Sequence, residues 1–476
     1  MNSAGRLLKN SAIYGLAPYI PTMASILILP LLTAHLTDVD YGIAGTISAY
    51  VMAIAALSNL GLNVVLQVSF FRSPNYYKIL WRQIYGFLQL WMIVFAIIQG
   101  VLLYYIIPAE AQDNRWAIIL LSNFNTVFFG PSSYIGPLYF QLSQRPMPIA
   151  IRSLISGFLT LIINYVTIVQ FEWGYMGWYI SSFLGGFFIN ASYWYELNFR
   201  LGIKPIYKFK WRTIRQNLKI SLPMLPHYYT YYMVTTSNRM VMDWTKVPIG
   251  KIGEFNMGQQ FAKYMESGVG AIEKAISPMC MECIKNDNEQ EGKSLILLFV
   301  DIVFAVAFLF AVWSKEIFSV LVKNDDLAGA YPIAAILVLA LCYRPMYVAA
   351  SNYYFYYTKT LHLLLITMVA GVIAIVANLI FIPHFGIVGA SIITYFSFLY
   401  QGYSGFLFKP YKQYSKVKYP YVQILLIQLA LTGIALGIMS SAIWTKCSIS
   451  LIAVIAAVIV AFRTQNLKTS FSKIRL

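Results

Sequence analysis

Gly174-Tyr-Met-Gly177 and Gly386-Ile-Val-Gly389 are one signal met twice. Each Gly-x-x-Gly pair sits between two long apolar stretches, and the pairs lie 212 residues apart. Working outward, Asn10 recurs as Asn217 at an offset of 207, and Gly42 recurs as Gly253 at an offset of 211. These residues stand before or at the start of a hydrophobic stretch. A period near 210 residues that spans six hydrophobic stretches returns the chain to the same side of a membrane. The two halves are then expected to be related by an axis along the membrane normal, as in transporters built from parallel repeats, with a path at their interface.

Composition agrees with this reading. The 476 residues are 59% hydrophobic and 11% charged, and the mean hydropathy is +0.64. Such a chain matches a polytopic membrane protein, whose spanning helices each need roughly 20 apolar residues. Fourteen candidate stretches lie between residues 10 and 463, the last of them short. The expected fold is an all-α polytopic membrane protein with 12–14 transmembrane helices. Two six-helix pseudo-symmetric lobes, 1–203 and 204–408, are followed by two additional helices and a basic cytoplasmic tail over 409–476. Residues 10–32 carry Pro18 and Pro21 and lack a small-x-small cleavage site, so they are expected as a retained helix and not a signal peptide. Pro18 and Pro21 match Pro223 and Pro226 early in the seventh span, and paired Pro-interrupted helices either flank a path or are tolerated kinks.

The formal charge of +17 is not the footprint of a nucleic-acid binder. With the N-terminus cytoplasmic, 25 of the 35 Lys and Arg fall on cytoplasmic segments and 6 on external ones. This is the positive-inside bias, and it places both termini in the cytoplasm. The densest run joins spans six and seven: Arg200, Lys204, Lys208, Lys210, Arg212, Arg215 and Lys219. It reads as topology plus attraction to membrane lipids, or as a dock for an anionic lipid-linked substrate.

Several chemistries lack their residues. Cys280 and Cys283 form a C-x-x-C with no second pair or nearby His, so no metal site and no cofactor are expected. A phosphate-binding glycine loop and a nucleophile elbow are both missing from the sequence. The longest segments between spans, 198–216 and 66–82, are too short for the large external catalytic loop of a membrane polymerase or ligase. The chain is therefore not expected to be an enzyme.

Charges within the spans carry the functional signal. A charge at mid-bilayer costs roughly 2.5–3.5 kcal/mol and normally faces water or a partner. Span seven places Tyr228, Tyr232, Thr235 and Arg239 on one helical face, and span ten does the same with Arg344, Tyr347, Ser351 and Tyr354. Span eight carries Lys263, Glu266, Gly270 and Glu273 on one stripe. The expectation is a hydrated, net-cationic cavity: arginine forks suit phosphate or carboxylate oxygens, and tyrosines suit sugar rings and their hydroxyls. The alternatives are local pairing of Lys263 with Glu266 and snorkelling of Arg239. Asp301, about seven residues into span nine, and Glu273 are candidates for ion coupling.

These residues resemble a family. Asn10-Ser-Ala-x-Tyr14 and Leu29-Pro-Leu-Leu-Thr-Ala-His-Leu-Thr-Asp-Val-Asp-Tyr-Gly42 are similar to the first hairpin of Wzx-type polysaccharide flippases. Ser221-Leu-Pro-Met-Leu-Pro226, Asn238-Arg239 and Ile252-Gly-Glu-Phe255 resemble the corresponding start of the second lobe. Asn378-Leu-Ile-Phe-Ile-Pro-His-Phe-Gly-Ile-Val-Gly-Ala390 looks like the connection of the eleventh and twelfth helices. The resemblance covers about residues 5–408 and implies the multidrug/oligosaccharidyl-lipid/polysaccharide exporter superfamily, working by alternating access. It implies movement of undecaprenyl-diphosphate-linked oligosaccharide, such as an O-antigen unit, to the periplasmic leaflet of a bacterial inner membrane. The implied partners are the lipid-linked oligosaccharide, membrane lipids, and the polymerase and chain-length proteins of the same pathway, with the flippase itself a monomer. The family often carries an acid where this chain has Asn238, which leaves Arg239 freer for substrate. Export of drugs or small metabolites is the alternative within the superfamily.

Overall fold

The structure, a computed structural model, describes residues 20–464, without the side chains of Met224, His227, Tyr228, Pro410 and residues 460–464. Asn10, Tyr14 and Pro18 lie outside the described residues. The described chain is helical, with no strand. Among the described residues, seven helices are long and apolar enough to cross a membrane, and Ile20–Thr33 and Ile443–Ile459 are shorter apolar helices. The protein is a multi-pass membrane protein.

The chain forms two compact units. The first runs to Tyr232 and includes Pro248–Gly253; the second comprises Met233–Val247 and everything from Glu254. The first unit contains α1 (Ile20–Thr33), α2 (Asp38–Asn59), α3 (Asn63–Arg72), α4 (Tyr77–Ile106) and α5 (Arg115–Leu142). It continues with α6 (Pro146–Asn164), α7 (Tyr175–Tyr195) and the short α8 (Trp211–Ser221). Helix α9 (Leu225–Thr235) contains the boundary between the units. Next come α10 (Ser237–Trp244), α11 (Ile249–Lys285), α12 (Glu289–Leu321), α13 (Asp325–Ala328), α14 (Tyr331–Ala340) and α15 (Arg344–Tyr356). The chain ends in α16 (Thr360–Ser404), α17 (Lys409–Tyr414), α18 (Tyr421–Ile438) and α19 (Ile443–Thr464).

The first unit is fixed by caps as much as by apolar packing. Thr37 and Asp40 form a capping box at the start of α2: Asp40 N donates to Thr37 Oγ1 at 3.1 Å, and Thr37 N donates to Asp40 Oδ2 at 2.8 Å. The other carboxylate oxygen, Oδ1, accepts from Tyr175 N at 2.9 Å, so one aspartate caps two helices. Gly174 makes this possible. Its φ of 52° and ψ of −137° suit only glycine, and a Cβ there would press on Asp40 Oδ1 at 2.8 Å. Lower in the unit, Trp81 is fully buried, and its indole N–H reaches Leu66 O at 3.2 Å and Ser69 Oγ at 3.1 Å.

The second unit has a denser centre. Phe299, Val303 and Ala307 of α12 pack with Ala335 and Leu339 of α14 and Met346 of α15. The alanines allow close helix approach where lipid supplies little hydrophobic drive. Its spans are broken in three places. Thr236 separates α9 from α10; the tight turn Leu341–Tyr343 separates α14 from α15; and Gly386, with φ 55° and ψ −138°, interrupts α16. The expected continuous seventh span over 217–241 is thus three pieces, because Pro223 falls in the turn Leu222–Met224 and the chain breaks again at Thr236. The last two helices are tied to α12. Lys446, with its side chain fully buried, donates to Glu316 Oε1 and Oε2 at 2.7 and 2.8 Å and to Met439 O at 2.7 Å. Trp313 Nε1 donates to Ser450 Oγ at 2.9 Å.

Candidate functional site

The break in span ten positions the first site residue. Pro345 cannot donate a backbone hydrogen bond, the preceding residues tighten into the Leu341–Tyr343 turn, and Arg344 opens α15 at that point. Its guanidinium forks onto Glu273 of α11, with Nε to Oε2 at 2.9 Å and Nη2 to Oε1 at 3.3 Å. The Arg344 guanidinium carbon stands 5.0 Å from the centre of the Tyr347 ring, a cation–π contact. Neither charge is sealed: the Arg344 and Glu273 side chains are 28% and 24% exposed. A charged fork is therefore partly accessible in a helix whose flanks are apolar. Arg344 and Tyr347, expected on one face of span ten, and Glu273, expected on a stripe of span eight, are brought together.

Helix α11 extends this stripe. Lys263 is exposed, while Glu266, Gly270 and Glu273 are partly exposed on the same side. Lys263 lies within electrostatic range of both Arg239 and Glu266.

Other expected residues are placed differently. Arg239 is only 3% exposed, and its Nη1 donates to Asn256 Oδ1 at 3.1 Å within the second unit. Neighbouring Asn238 is fully buried and donates to Thr394 Oγ1 at 3.4 Å. Arg239 thus enters the interior and does not snorkel outward. Ser351 and Tyr354 share the helical face of Arg344 but lie about two and three turns farther along, inside the packed core. Ser351 donates to Val348 O at 3.2 Å, and Tyr354 donates to Gly405 O at 2.7 Å. Their hydroxyls are already used, which a helical wheel cannot reveal. Tyr232 is partly buried and meets Tyr229 edge-on at 6.4 Å. The Tyr228 side chain lies outside the described residues. Thr235 contributes through its carbonyl, freed by the break, which accepts from Gln259 Nε2 at 2.6 Å. Asp301 is half-buried in α12, and its Oδ2 has no hydrogen-bond partner among the described residues.

Sequence reasoning missed one intramembrane pair in the first unit. Arg152 of α6 donates to Glu196 Oε2 at 3.0 Å, to Ser192 Oγ at 2.5 Å and to Pro148 O at 3.2 Å. Its guanidinium also stacks 4.9 Å from the Tyr193 ring. An arginine just inside span five and a glutamate at the end of span six were the available signal.

The arrangement can bind and neutralise an anionic group and hydrate a polar one. Among the described residues, no group of three or more His, Cys, Asp or Glu side chains could hold a metal ion.

No protein family matches the sequence, and no curated protein matches it either. Solved structures do match. The chain is similar to the lipid II flippase MurJ in its inward closed conformation, with 14% identity, 90% of this chain and 98% of that chain covered, and a TM-score of 0.67. It is similar to a multidrug resistance MATE transporter of the MOP superfamily in an inward-facing conformation, with 13% identity, 91% and 96% coverage and a TM-score of 0.59. A Vibrio cholerae MATE transporter, VcmN in its bent form, gives 12% identity, 90% and 99% coverage and a TM-score of 0.53. The all-α polytopic fold is therefore that of these transporters.

Proposed function

We propose that the protein is a flippase that carries a polyprenyl-diphosphate-linked oligosaccharide, such as an O-antigen unit, from the cytoplasmic to the outer leaflet of a bacterial inner membrane. The observation that carries this reading is the Arg344–Glu273 fork, partly exposed inside a span and backed by Tyr347. A partly exposed guanidinium within a span suits a diphosphate, and the adjoining tyrosine suits a sugar. Lys263 and Glu266 on the same stripe of α11 extend a polar wall along which a head group can stay hydrated. No covalent chemistry is required. The barrier is desolvation of a polar head group, and a hydrated path lowers it. The distribution of Lys and Arg supports cytoplasmic termini.

A second reading is export of drugs or small metabolites. Asp301 favours it: a half-buried carboxylate in an apolar helix, its Oδ2 unbonded among the described residues, suits coupling to a proton or cation.

Complementation decides between them. In a bacterial strain lacking its own flippase for this polysaccharide, wild type is expected to restore surface polysaccharide and Arg344→Ala is not, at matched membrane expression. Rescue by Arg344→Lys would assign the role to charge alone. If wild type restores nothing with the cognate sugar pathway present, the flippase reading is wrong and the exporter reading, tested through Asp301→Asn and drug resistance, moves ahead.

A further inference from the structure

The segment between spans six and seven has an outer face that the transport reading does not use. Helix α8 rests on the first unit by one side only. Ile214 is fully buried there, and Leu218 packs against the same apolar cluster. An adjacent side carries Arg212, Arg215 and Lys219, all exposed. Three exposed apolar side chains flank them: Trp211 at 59%, Ile220 at 62% and Leu222 at 41%. Lys204, Lys208 and Lys210, just upstream, are exposed too, and residues 201–221 contain no acidic residue.

The depth of this face follows from what it touches. Ile206 N donates to Arg82 O at 2.9 Å, and Arg82 Nε donates back to Lys204 O at 3.0 Å. Gly86 admits the chain, since a Cβ there would collide with the Ile206 carbonyl. Phe87 then meets Phe209 at 5.8 Å and Trp211 at 6.1 Å. Phe87 belongs to α4, a membrane-crossing helix, so Trp211 packs against the side of a span. At its other end, α8 passes through a single turn into α9, the start of span seven.

We propose that α8 and the segment before it bind the anionic phospholipid surface of the leaflet beside them. Trp211, Ile220 and Leu222 sit at the boundary, and Arg212, Arg215 and Lys219 meet headgroup phosphates. The chemistry is that of an interfacial helix: an indole at headgroup level and cations facing anionic lipid. In bulk water the segment would expose three large apolar side chains for no gain.

The test uses the full-length protein in nanodiscs of phosphatidylcholine alone and with about 30% phosphatidylglycerol, at low and at about 0.5 M salt, where screening is within a few ångströms. Wild type is expected to unfold at a higher temperature with phosphatidylglycerol, and high salt should remove most of that increment. The triple variant Arg212→Gln/Arg215→Gln/Lys219→Gln should match wild type in phosphatidylcholine and lose at least half of the increment. Neutralising Lys409, Lys412 and Lys418 in another basic segment should leave it. The proposal is overturned if the triple variant keeps the full increment, or if wild type shows none. It is also overturned if inorganic pyrophosphate reproduces the increment in phosphatidylcholine, which would make the face a soluble-anion site. Should the triple variant unfold in both membranes, the salt dependence of wild type still decides: a salt-insensitive increment overturns the proposal.

Discussion

Gly42 and Gly253, repeat mates 211 residues apart, occupy the two sides of one reciprocal contact. A Cβ on Gly42 would run into the carbonyl of Ile249, and a Cβ on Gly253 would run into the carbonyl of Asp38. Asp38 and Ile249 each stand four residues before the glycine of their own helix, at its first position. The contact is thus reciprocal, and it lies wholly within the first compact unit. Backbone meets backbone here, so no side-chain rearrangement can make room.

Gly253→Ala is therefore expected to destabilise by about 1–3 kcal/mol, because the two helix starts must separate. Gly433→Ala in α18 is the control: its Cβ meets nothing within 4 Å, and relief of glycine's entropy should give a neutral or slightly stabilising change of at most about 1 kcal/mol. Thermal unfolding of both variants in one detergent measures this. Equal melting temperatures would remove the argument from close approach.

Gly174 and Gly386 share one backbone conformation, φ 52° with ψ −137° and φ 55° with ψ −138°. Their surroundings differ. A Cβ at Gly386 meets nothing within 4 Å, whereas one at Gly174 presses on the carboxylate that caps α2 and α7. Gly386→Ala should cost only backbone strain, about 1–2 kcal/mol. Gly174→Ala should cost more, adding about 1 kcal/mol for a disturbed cap. A Gly386 variant that melts lower than its Gly174 counterpart would contradict this order.

The fork between Arg344 and Glu273 gives a prediction for transport. Removing the guanidinium with Arg344→Ala should lower transport of a diphosphate-bearing lipid by tenfold or more, from the loss of charge-assisted bonds worth about 1.5–3 kcal/mol. Glu273→Gln keeps the shape and removes the competing anion, so affinity for an anionic head group should rise. Binding of a short-chain polyprenyl diphosphate to purified protein measures both. Weaker binding by Glu273→Gln would mean that the carboxylate orients the arginine more than it competes for it.

Lys446 predicts an effect of pairing inside the bundle. Its ammonium is sealed and spends its donors on Glu316 and Met439. Glu316→Gln alone should cost about 3 kcal/mol, since the sealed Lys446 ammonium loses its counter-charge, and Lys446→Met/Glu316→Gln should recover much of it. Unfolding of the single and double variants closes the cycle. A double variant as unstable as the single one would show that packing, not charge, holds α19.

The sequence by itself determined that this chain crosses a membrane many times and carries the same glycine pair twice. Apolar length and the recurrence of Gly174-x-x-Gly177 at Gly386-x-x-Gly389 are local properties, readable without contacts. It also marked Arg344, Glu273 and Tyr347 as worth attention, because charge inside an apolar run is visible on the page.

Only the tertiary structure decided which of those residues share a site. Helical phase places Ser351 and Tyr354 beside Arg344, yet packing buries both and spends their hydroxyls on backbone carbonyls. It also drew Arg239 inward to Asn256 and joined Arg152 to Glu196, residues on separate helices. The reason is physical: periodicity fixes the direction of a side chain about its own axis, while the neighbouring helix decides whether that direction holds water, lipid or another side chain.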